Sequence, residues 1–334
     1  YWLSMMAITN KFLQRPDYSA CQSIDIKKLR AQATTLSKQG SYCIATLWAF
    51  RKVWQRSKNS ADYVAYLAFR RALGYRLTLT KAKILKAITA APKRWLNGIY
   101  GHRWRQVQML IAEHQFYTKQ NLTMAGIRRA DRELVQYWRS SQNLWQQQLI
   151  RHLKTALSIQ LVGNSPKLRD SGLGPFIDQA DWVVRFNHYS SENTNAEDTG
   201  CKCDVWVIAP GFRSSFVPDC EWVLLSGPDM LWQQQQWGHL KALAEKKLLS
   251  IPIEQWRHLV RQISAPPSAG LLVLEYFTSV LAEKRALQIA GFGYNPATEQ
   301  DYHLALSGHK AVSRHNWHAE YQYLQRWSDM EGLQ

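Results

Sequence analysis

The 334-residue chain lacks any apolar stretch long enough to cross a bilayer. A membrane-spanning helix needs about 20 consecutive apolar residues, whereas the most apolar stretch, 42–50, is followed at once by Arg51 and Lys52. We therefore expect no membrane-spanning segment. With 46% apolar and 20% charged residues, the composition excludes a disordered tail and provides for a sizeable core.

Cysteine is scarce, and recognisable metal-binding motifs are missing. The five cysteines are an odd number, and only Cys201 and Cys203 lie close together, as C-x-C. This pattern favours reduced thiols in a cytosolic protein over a disulfide scaffold or a zinc site. There is neither a D-x-D pair of the kind that holds a divalent ion nor an H-E-x-x-H zinc motif.

Acidic residues are rare in the first half of the chain. Residues 1–150 contain 25 Lys and Arg against 6 Asp and Glu, whereas residues 151–334 contain 17 against 19. Such asymmetry indicates two modules, of which the first faces an anionic partner such as phospholipid, lipopolysaccharide or nucleic acid. Basic residues alternate with tryptophan at 93–95 and 102–105, which suits a membrane interface, although these tryptophans could equally point into a core.

The periodicity of apolar residues changes near residue 155. Before it, spacings of three and four predict helices, including one that starts at Ser60 and stops at Gly74. After it, strands are predicted at Ile159–Val162, Trp182–Phe186, Val205–Ile208, Trp222–Leu225 and 286–290, with helices at 230–249 and 270–282. We therefore predict a basic helical region, 1–155, and an α/β domain, 156–334, with a largely parallel, Rossmann-like sheet.

The first predicted strand runs directly into Gly163-Asn164-Ser165. A strand that ends in such a turn offers backbone N–H groups and an amide to a phosphate or nucleotide, although Gly-Asn is also an ordinary turn. The sequence continues with further fixed positions: Leu168, Ser171, Gly172, Gly174, Ile177, Asp178, Asp181, Val183, Arg185 and Asn187.

This string resembles the large sialylmotif of the sialyltransferases, glycosyltransferase family 29. Two further motifs of that family have counterparts in the same order. Pro267-Ser268-Ala269-Gly270, with Gly291-Phe292-Gly293 after it, is similar to the small sialylmotif, and His315 to Glu320 is similar to the very small motif H-x-x-x-x-E. The resemblance implies a Rossmann-like glycosyltransferase domain of the GT-A-variant type.

The resemblance also implies a role for each matching residue. Gly163, Asn164, Ser165 and Asn187 would bind a cytidine monophosphate (CMP) sugar donor. Ser268, Ala269 and Gly270 would place a helix N-terminus against the donor's carboxylate or phosphate, where the helix dipole favours negative charge. Ala269 replaces the family's Thr and removes one hydroxyl. Ser268 could also be a simple helix N-cap.

His315 is the predicted general base, because an imidazole titrates near neutrality and can accept the proton of an acceptor hydroxyl. Without the motif, His315 would read as a surface or packing histidine. Glu320 would orient it or lie exposed on a helix. A second histidine that assists phosphate departure would be His303 or His309, and His303 is slightly favoured. The implied reaction is an inverting transfer that needs no metal and no cofactor besides the CMP-sugar co-substrate.

Departures from the family pattern bear on location and substrate. The disulfide that joins the large and small motifs of secretory members is impossible here, because Ile159 occupies one of its positions. This predicts a bacterial-type enzyme, peripheral on the inner face of the cytoplasmic membrane, that acts in lipopolysaccharide or capsule biosynthesis. CMP activates both sialic acid and Kdo, and the motifs favour sialic acid. The acceptor would be a glycan or glycolipid.

Two other classes of function fit some of these observations. The basic half could belong to a nucleic-acid-binding protein, but it shows no helix-turn-helix, zinc-finger or RNA-binding signature. The chain could also be an inactive transferase-like subunit of a polysaccharide assembly complex. The presence of Asn164, Asn187, Ser268 and His315 argues against that second alternative.

Overall fold

The computed structural model describes residues 25–90, 106–107, 109–111, 114, 129–189, 195–209, 216–227, 241–281, 286–294, 311–312 and 315–331. The chain divides into two compact units. Unit 1 comprises residues 1–121 and 264–266, and unit 2 comprises residues 122–263 and 267–334. The predicted boundary at 155 differs from this division, because the helix over residues 132–155 belongs to unit 2.

The described part of unit 1 is helical, as predicted. Its helices are α1 (Ile26–Lys38), α2 (Ile44–Ser57), α3 (Ser60–Ala72) and α4 (Leu79–Ala90). Helix α3 starts at Ser60, where the Asn59 side chain accepts a hydrogen bond from the Ala61 amide, and it stops before Gly74, whose φ is 76°. The predicted limits of this helix are confirmed, although the cap is Asn59.

Aromatic side chains pack between α2 and α3. The Phe50 and Phe69 rings stack with centroids 5.0 Å apart, and Trp54 stacks on Tyr66 at 5.6 Å. Helix α1 is tied to α3 by Arg30, which donates two hydrogen bonds to the Asp62 carboxylate at 2.8 and 2.7 Å. Unit 1 therefore has a core of its own.

Unit 2 contains a six-stranded, entirely parallel sheet. Its strands are β1 (Ile159–Val162), β2 (Trp182–Phe186), β3 (Val205–Ile208), β4 (Trp222–Leu225), β5 (Lys247–Ser250) and β6 (Leu287–Ala290). The first four match the predicted strands residue for residue, and β6 begins one residue late. The prediction of an α/β domain with a Rossmann-like parallel sheet is thereby confirmed.

The end of one predicted helix is wrong. The sequence suggested a helix over residues 230–249, but Lys247–Ser250 is strand β5, paired with β4 at the sheet edge. Residues 230–240 of that prediction lie outside the described residues. Leu248 and Leu249 are both buried, so this short run has no alternating pattern. Periodicity alone cannot separate such a run from the end of a buried helix.

Helices of very different length accompany the sheet. They are α5 (Arg132–Thr155), α6 (Gly174–Asp178), α7 (Ala196–Thr199), α8 (Ile253–Ile263), α9 (Ala269–Val280) and α10 (Trp317–Glu331). Helix α9 confirms the helix predicted after Ser268. None of the helices within the described ranges is both long and apolar enough to cross a membrane.

The strand order reverses at β1. The sheet runs β5-β4-β3-β2-β1-β6, so the chain proceeds outward from β1 to β5 and then returns to add β6 on the other side of β1. In open parallel sheets, ligands bind in the crevice at the carboxyl ends of the strands where the order reverses. The fold therefore points to the loops that follow β1, β2 and β6.

A buried glutamine holds α5 against β5, and its removal should destabilise unit 2. The Gln142 amide donates to the Leu248 carbonyl at 2.8 Å and accepts from the Ser250 amide at 2.8 Å. Gln142→Ala leaves both backbone groups unpaired, and we expect it to lower the free energy of unfolding by about 2–3 kcal/mol. Gln147→Ala, at an exposed position of α5, should change it by less than about 0.5 kcal/mol. Urea unfolding measures both, and equal losses would contradict this role of Gln142.

Candidate active site

The loops after β1 and β6 lie in direct backbone contact. The Gly163 amide donates to the Ala290 carbonyl at 2.8 Å, and the Ser165 amide donates to the Gly291 carbonyl at 3.1 Å. A Cβ at Gly163 would lie 2.2 Å from the Gly291 carbonyl oxygen, so only glycine fits there. The pairing of the two strands thus continues past their ends into the reversal point of the sheet.

Asn164 and Asn187 lie at the carboxyl ends of neighbouring strands. The Asn164 side-chain amide donates to the Phe186 carbonyl at 2.8 Å, which ties it to the end of β2. Asn187 follows β2 with a φ of 48°, and its side-chain oxygen accepts a hydrogen bond from the Ala209 amide at 2.9 Å. Both amides are therefore held at the edge that the fold indicates as the binding crevice.

The N-terminus of α9 lies beside the same loops. Ser268 caps this helix, since its hydroxyl accepts a hydrogen bond from the Leu271 amide at 3.2 Å. Gly270 packs so closely on Phe292 that a Cβ would lie 2.7 Å from that ring, and Phe292 in turn meets the Phe186 ring edge to face at 5.7 Å. The first turn of α9, which includes Ala269, is thereby positioned next to the end of β2.

Glu320 joins the N-terminus of α9 to His315. Its carboxylate accepts a hydrogen bond from the Ser268 amide at 2.8 Å and lies 4.0 Å from Nδ1 of His315. Only 4% of Glu320 is exposed, and this burial raises the pKa of its carboxyl group to about 7, against the opposing effect of the hydrogen bonds from Ser268. The Trp317 ring contacts the His315 ring at 5.0 Å.

The described candidates therefore form one connected group in unit 2. Contacts run from Gly163 through the β6 loop to α9, and from Ser268 through Glu320 to His315. His303 and His309 lie outside the described residues. The structure also places Phe292 and Lys167 at this edge, where the Lys167 amine donates to the Gly293 carbonyl at 3.0 Å. The sequence had marked Phe292 only as part of a motif.

Other positions of the long motif have structural contacts. Asp178 accepts hydrogen bonds from the Cys201 and Lys202 amides. The guanidinium group of the buried Arg185 donates to the Thr199 and Lys202 carbonyls at 2.6 and 2.9 Å. These side chains hold the end of α7 and the residues after it against α6 and β2.

Asp198, which the sequence did not single out, organises the loop before α6. Its carboxylate accepts from the Gly172 amide at 3.0 Å and from the Asp170 amide at 2.9 Å, and these bonds lower its pKa. No local sequence pattern predicts this contact, because the donor and the acceptor lie far apart in sequence. The second part of the motif thus has a structural role, because its residues hold together the segments around α6 and α7.

Comparison with known proteins finds a family model that matches part of the chain. Residues 106–236 match the model described as "Glycosyltransferase family 29 (sialyltransferase)". Two similar solved structures, each 19% identical, are of mammalian sialyltransferases. One, in complex with Gal-beta-1-3GalNAc-ortho-nitrophenol, covers 52% of this chain and 66% of its own at a TM-score of 0.42. The other covers 53% and 67% at 0.43.

Residues 106–236, less than half of the chain, are therefore similar to glycosyltransferase family 29, the sialyltransferases. It spans about two thirds of the length of the two mammalian structures. Comparison with curated proteins found no significant match. The matched segment includes Asn164 and Asn187 but ends before Ser268 and His315, so the parts of the site contributed by α9 and α10 rest on the geometry described above.

The buried carboxyl group of Glu320 makes stability depend on pH. Its pKa rises from 4.5 to about 7 on folding, so the stabilising protonated form is fully present below about pH 4.5 and is lost as pH rises through 7. Relative to Glu320→Gln, whose amide is neutral throughout, the wild-type free energy of unfolding should fall by roughly 2–3 kcal/mol between pH 5 and 8. Urea unfolding of both proteins across this range measures the difference, and parallel pH profiles would contradict it.

Proposed function

We propose that this protein transfers sialic acid from its CMP-activated form to a hydroxyl group of a glycan or glycolipid. One observation supports this most: the family-matched asparagines, the N-terminus of α9 and the His315–Glu320 pair meet at the reversal point of the sheet. The family match gives the class of chemistry, and the geometry supplies the groups that such a transfer needs.

The donor would lie across the ends of β1, β2 and β6. Asn164 and Asn187 present amides suited to the phosphate and ribose of the nucleotide. The first amides of a helix have no partner within that helix and carry partial positive charge, so the start of α9 at Ala269 and Gly270 suits the donor's carboxylate or phosphate. Because position 269 is Ala, recognition there would come from the backbone alone.

His315 would act as the general base. It accepts the proton of the acceptor hydroxyl as that oxygen attacks the anomeric carbon, the bond to phosphate breaks with inversion, and CMP leaves with the electron pair. Glu320, at 4.0 Å, would hold the imidazole in place. His303, or alternatively His309, would assist the departing phosphate. This scheme uses no metal ion and no cofactor.

A donor screen with a matched pair of variants tests the proposal. The full chain is assayed with CMP-sialic acid and with CMP-Kdo in the presence of EDTA, and we expect turnover of the sialic acid donor. His315→Ala should lower kcat by about 10²–10⁴-fold. His318→Ala, at an exposed histidine of α10, should retain activity within about twofold.

Each of the other possible outcomes points to a different alternative. Turnover of CMP-Kdo alone would reassign the donor sugar, and activity only without EDTA would contradict metal independence. A thermal shift with CMP but no transfer or hydrolysis would indicate an inactive transferase-like subunit. The absence of both turnover and a CMP-induced shift would refute the transferase proposal.

Unit 1 would dock on an anionic membrane surface, and the proposed location is the inner face of the cytoplasmic membrane, where lipopolysaccharide or capsule precursors are assembled. Residues 25–90 contain fourteen Lys and Arg against two Asp. Helix α4 exposes 60% of Leu79 and 43% of Ile84, with Lys83 exposed between them. Exposed apolar side chains beside lysines suit a headgroup interface better than a nucleic acid, which offers no apolar layer.

Charge reversal in the full chain tests this docking surface. Lys27→Glu with Lys28→Glu reverses two exposed charges of α1, and because each cation near an anionic membrane contributes about 1 kcal/mol, vesicle binding should weaken at least about tenfold. Arg151→Glu with Lys154→Glu makes the same change on α5 of unit 2 and should have little effect. Co-sedimentation with phosphatidylglycerol vesicles measures binding. Equal losses from both pairs, or preferential binding of nucleic acid, would contradict the proposal.

A further inference from the structure

Two of the cysteines occupy corresponding positions on neighbouring strands. Strands β3 and β4 are parallel, and Val205 of β3 is paired in register with Trp222 of β4. Cys203 and Cys220 each precede this pair by two residues. They therefore stand side by side where the two strands begin, at the end of the sheet opposite the candidate active site.

The surroundings of the two thiols show that they interact. Hydrogen bonding between them raises the pKa of Cys203 and lowers the pKa of Cys220. Cys220 is 6% exposed, and its thiol donates to the Trp222 carbonyl at 3.5 Å. The Tyr189 hydroxyl is also hydrogen-bonded to Cys203, which is partly exposed. Cys203 is thus partly exposed as a residue, and Cys220 is buried beside it.

The geometry of neighbouring strands suits a covalent link. Adjacent strands lie about 4.7–4.9 Å apart, and a disulfide joins residues whose Cα atoms are about 4.4–6.8 Å apart. We propose that Cys203 and Cys220 form a disulfide that joins the start of β3 to the start of β4 when the folded protein meets a small disulfide oxidant such as oxidised glutathione.

The reaction is a thiol–disulfide exchange in two steps. The thiolate of one cysteine attacks oxidised glutathione, forms a mixed disulfide and releases one glutathione thiolate. The thiolate of the other cysteine then attacks the protein sulfur of that mixed disulfide and releases the second glutathione. The protein loses two protons and two electrons, and oxidised glutathione gains them as two molecules of glutathione.

Cys201 is the alternative partner, and its position argues against it. It is exposed at the surface, and its backbone amide donates to the Asp178 carboxylate at 2.8 Å, which holds this part of the chain beside α6. Cys203 instead lies directly before β3, in line with Cys220. The expected cross-link is therefore specific for Cys203, although Cys201 is the more exposed thiol.

Peptide mapping of the full chain tests the pairing. The native protein is incubated with oxidised glutathione, its remaining thiols are alkylated, and it is digested with trypsin without reduction. Cleavage after Lys202 separates Cys201 from Cys203, so the two candidate pairings give different peptides. We expect peptide 203–213 joined to peptide 214–241, with a mass two hydrogen atoms below the sum of the two.

Variants and denaturation provide the controls. Cys201→Ser should keep the cross-link, whereas Cys203→Ser and Cys220→Ser should each abolish it. Because the link constrains the unfolded chain over residues 204–219, the oxidised wild type should melt roughly 5 °C above its reduced form, and a reductant should reverse this. Oxidation of the urea-unfolded protein should instead give several different cysteine pairings, because the fold no longer holds Cys203 beside Cys220.

Two results would overturn the proposal. The first is a Cys203 that stays fully open to alkylation in the native protein after prolonged exposure to the oxidant. The second is a cross-link from Cys201 to Cys220 in place of the expected one. Both readouts come from the wild-type protein, so they remain valid even if a serine variant folds poorly.

Discussion

The backbone contact between Gly163 and Gly291 is the constraint on which the site depends. It continues the pairing of β1 and β6 beyond the last strand residues, and it works only because neither position has a side chain to separate the two loops. Phe292 lies in the loop after β6 and packs against Gly270 in the first turn of α9. Fixing this loop therefore also fixes the start of the helix. The end of β1 and the N-terminus of α9 are therefore held in fixed positions relative to each other.

The second constraint is electrostatic. Glu320 is buried between the first residues of α9 and His315, far from bulk water, and a carboxyl group in that position costs free energy when it ionises. The hydrogen bonds from Ser268 reduce this cost. The protonation state of Glu320 therefore affects both the fold and the site, because the same carboxyl group binds the Ser268 amide at the start of α9 and lies beside His315, the proposed base.

Much of the fold was predictable from local pattern, and the failures have physical causes. The strands from Ile159 to Leu225 were found because short β-branched runs between turns indicate strands buried on both faces. Strand β5 is too short to show a period of its own. Helix α5 has the same spacing as the helices of unit 1, and its tertiary contacts, such as those of Gln142 with β5 and of His152 with Trp182, reveal which unit it joins.

The candidate site was also only partly predictable from local pattern. The later residues of the long motif have structural contacts that the sequence did not reveal. Asn164 and Asn187 lie at the carboxyl ends of β1 and β2, whereas Asp178 and Arg185 bind backbone far along the chain, as does Asp198 beside them. Under the proposed function, the motif combines donor-binding residues, Asn164 and Asn187, with residues that hold the fold together, such as Asp178 and Arg185. On that proposal, efforts to alter donor choice would start from the two asparagines. A change of Asp178 or Arg185 would instead reduce the amount of folded protein, without altering how each folded molecule recognises its donor.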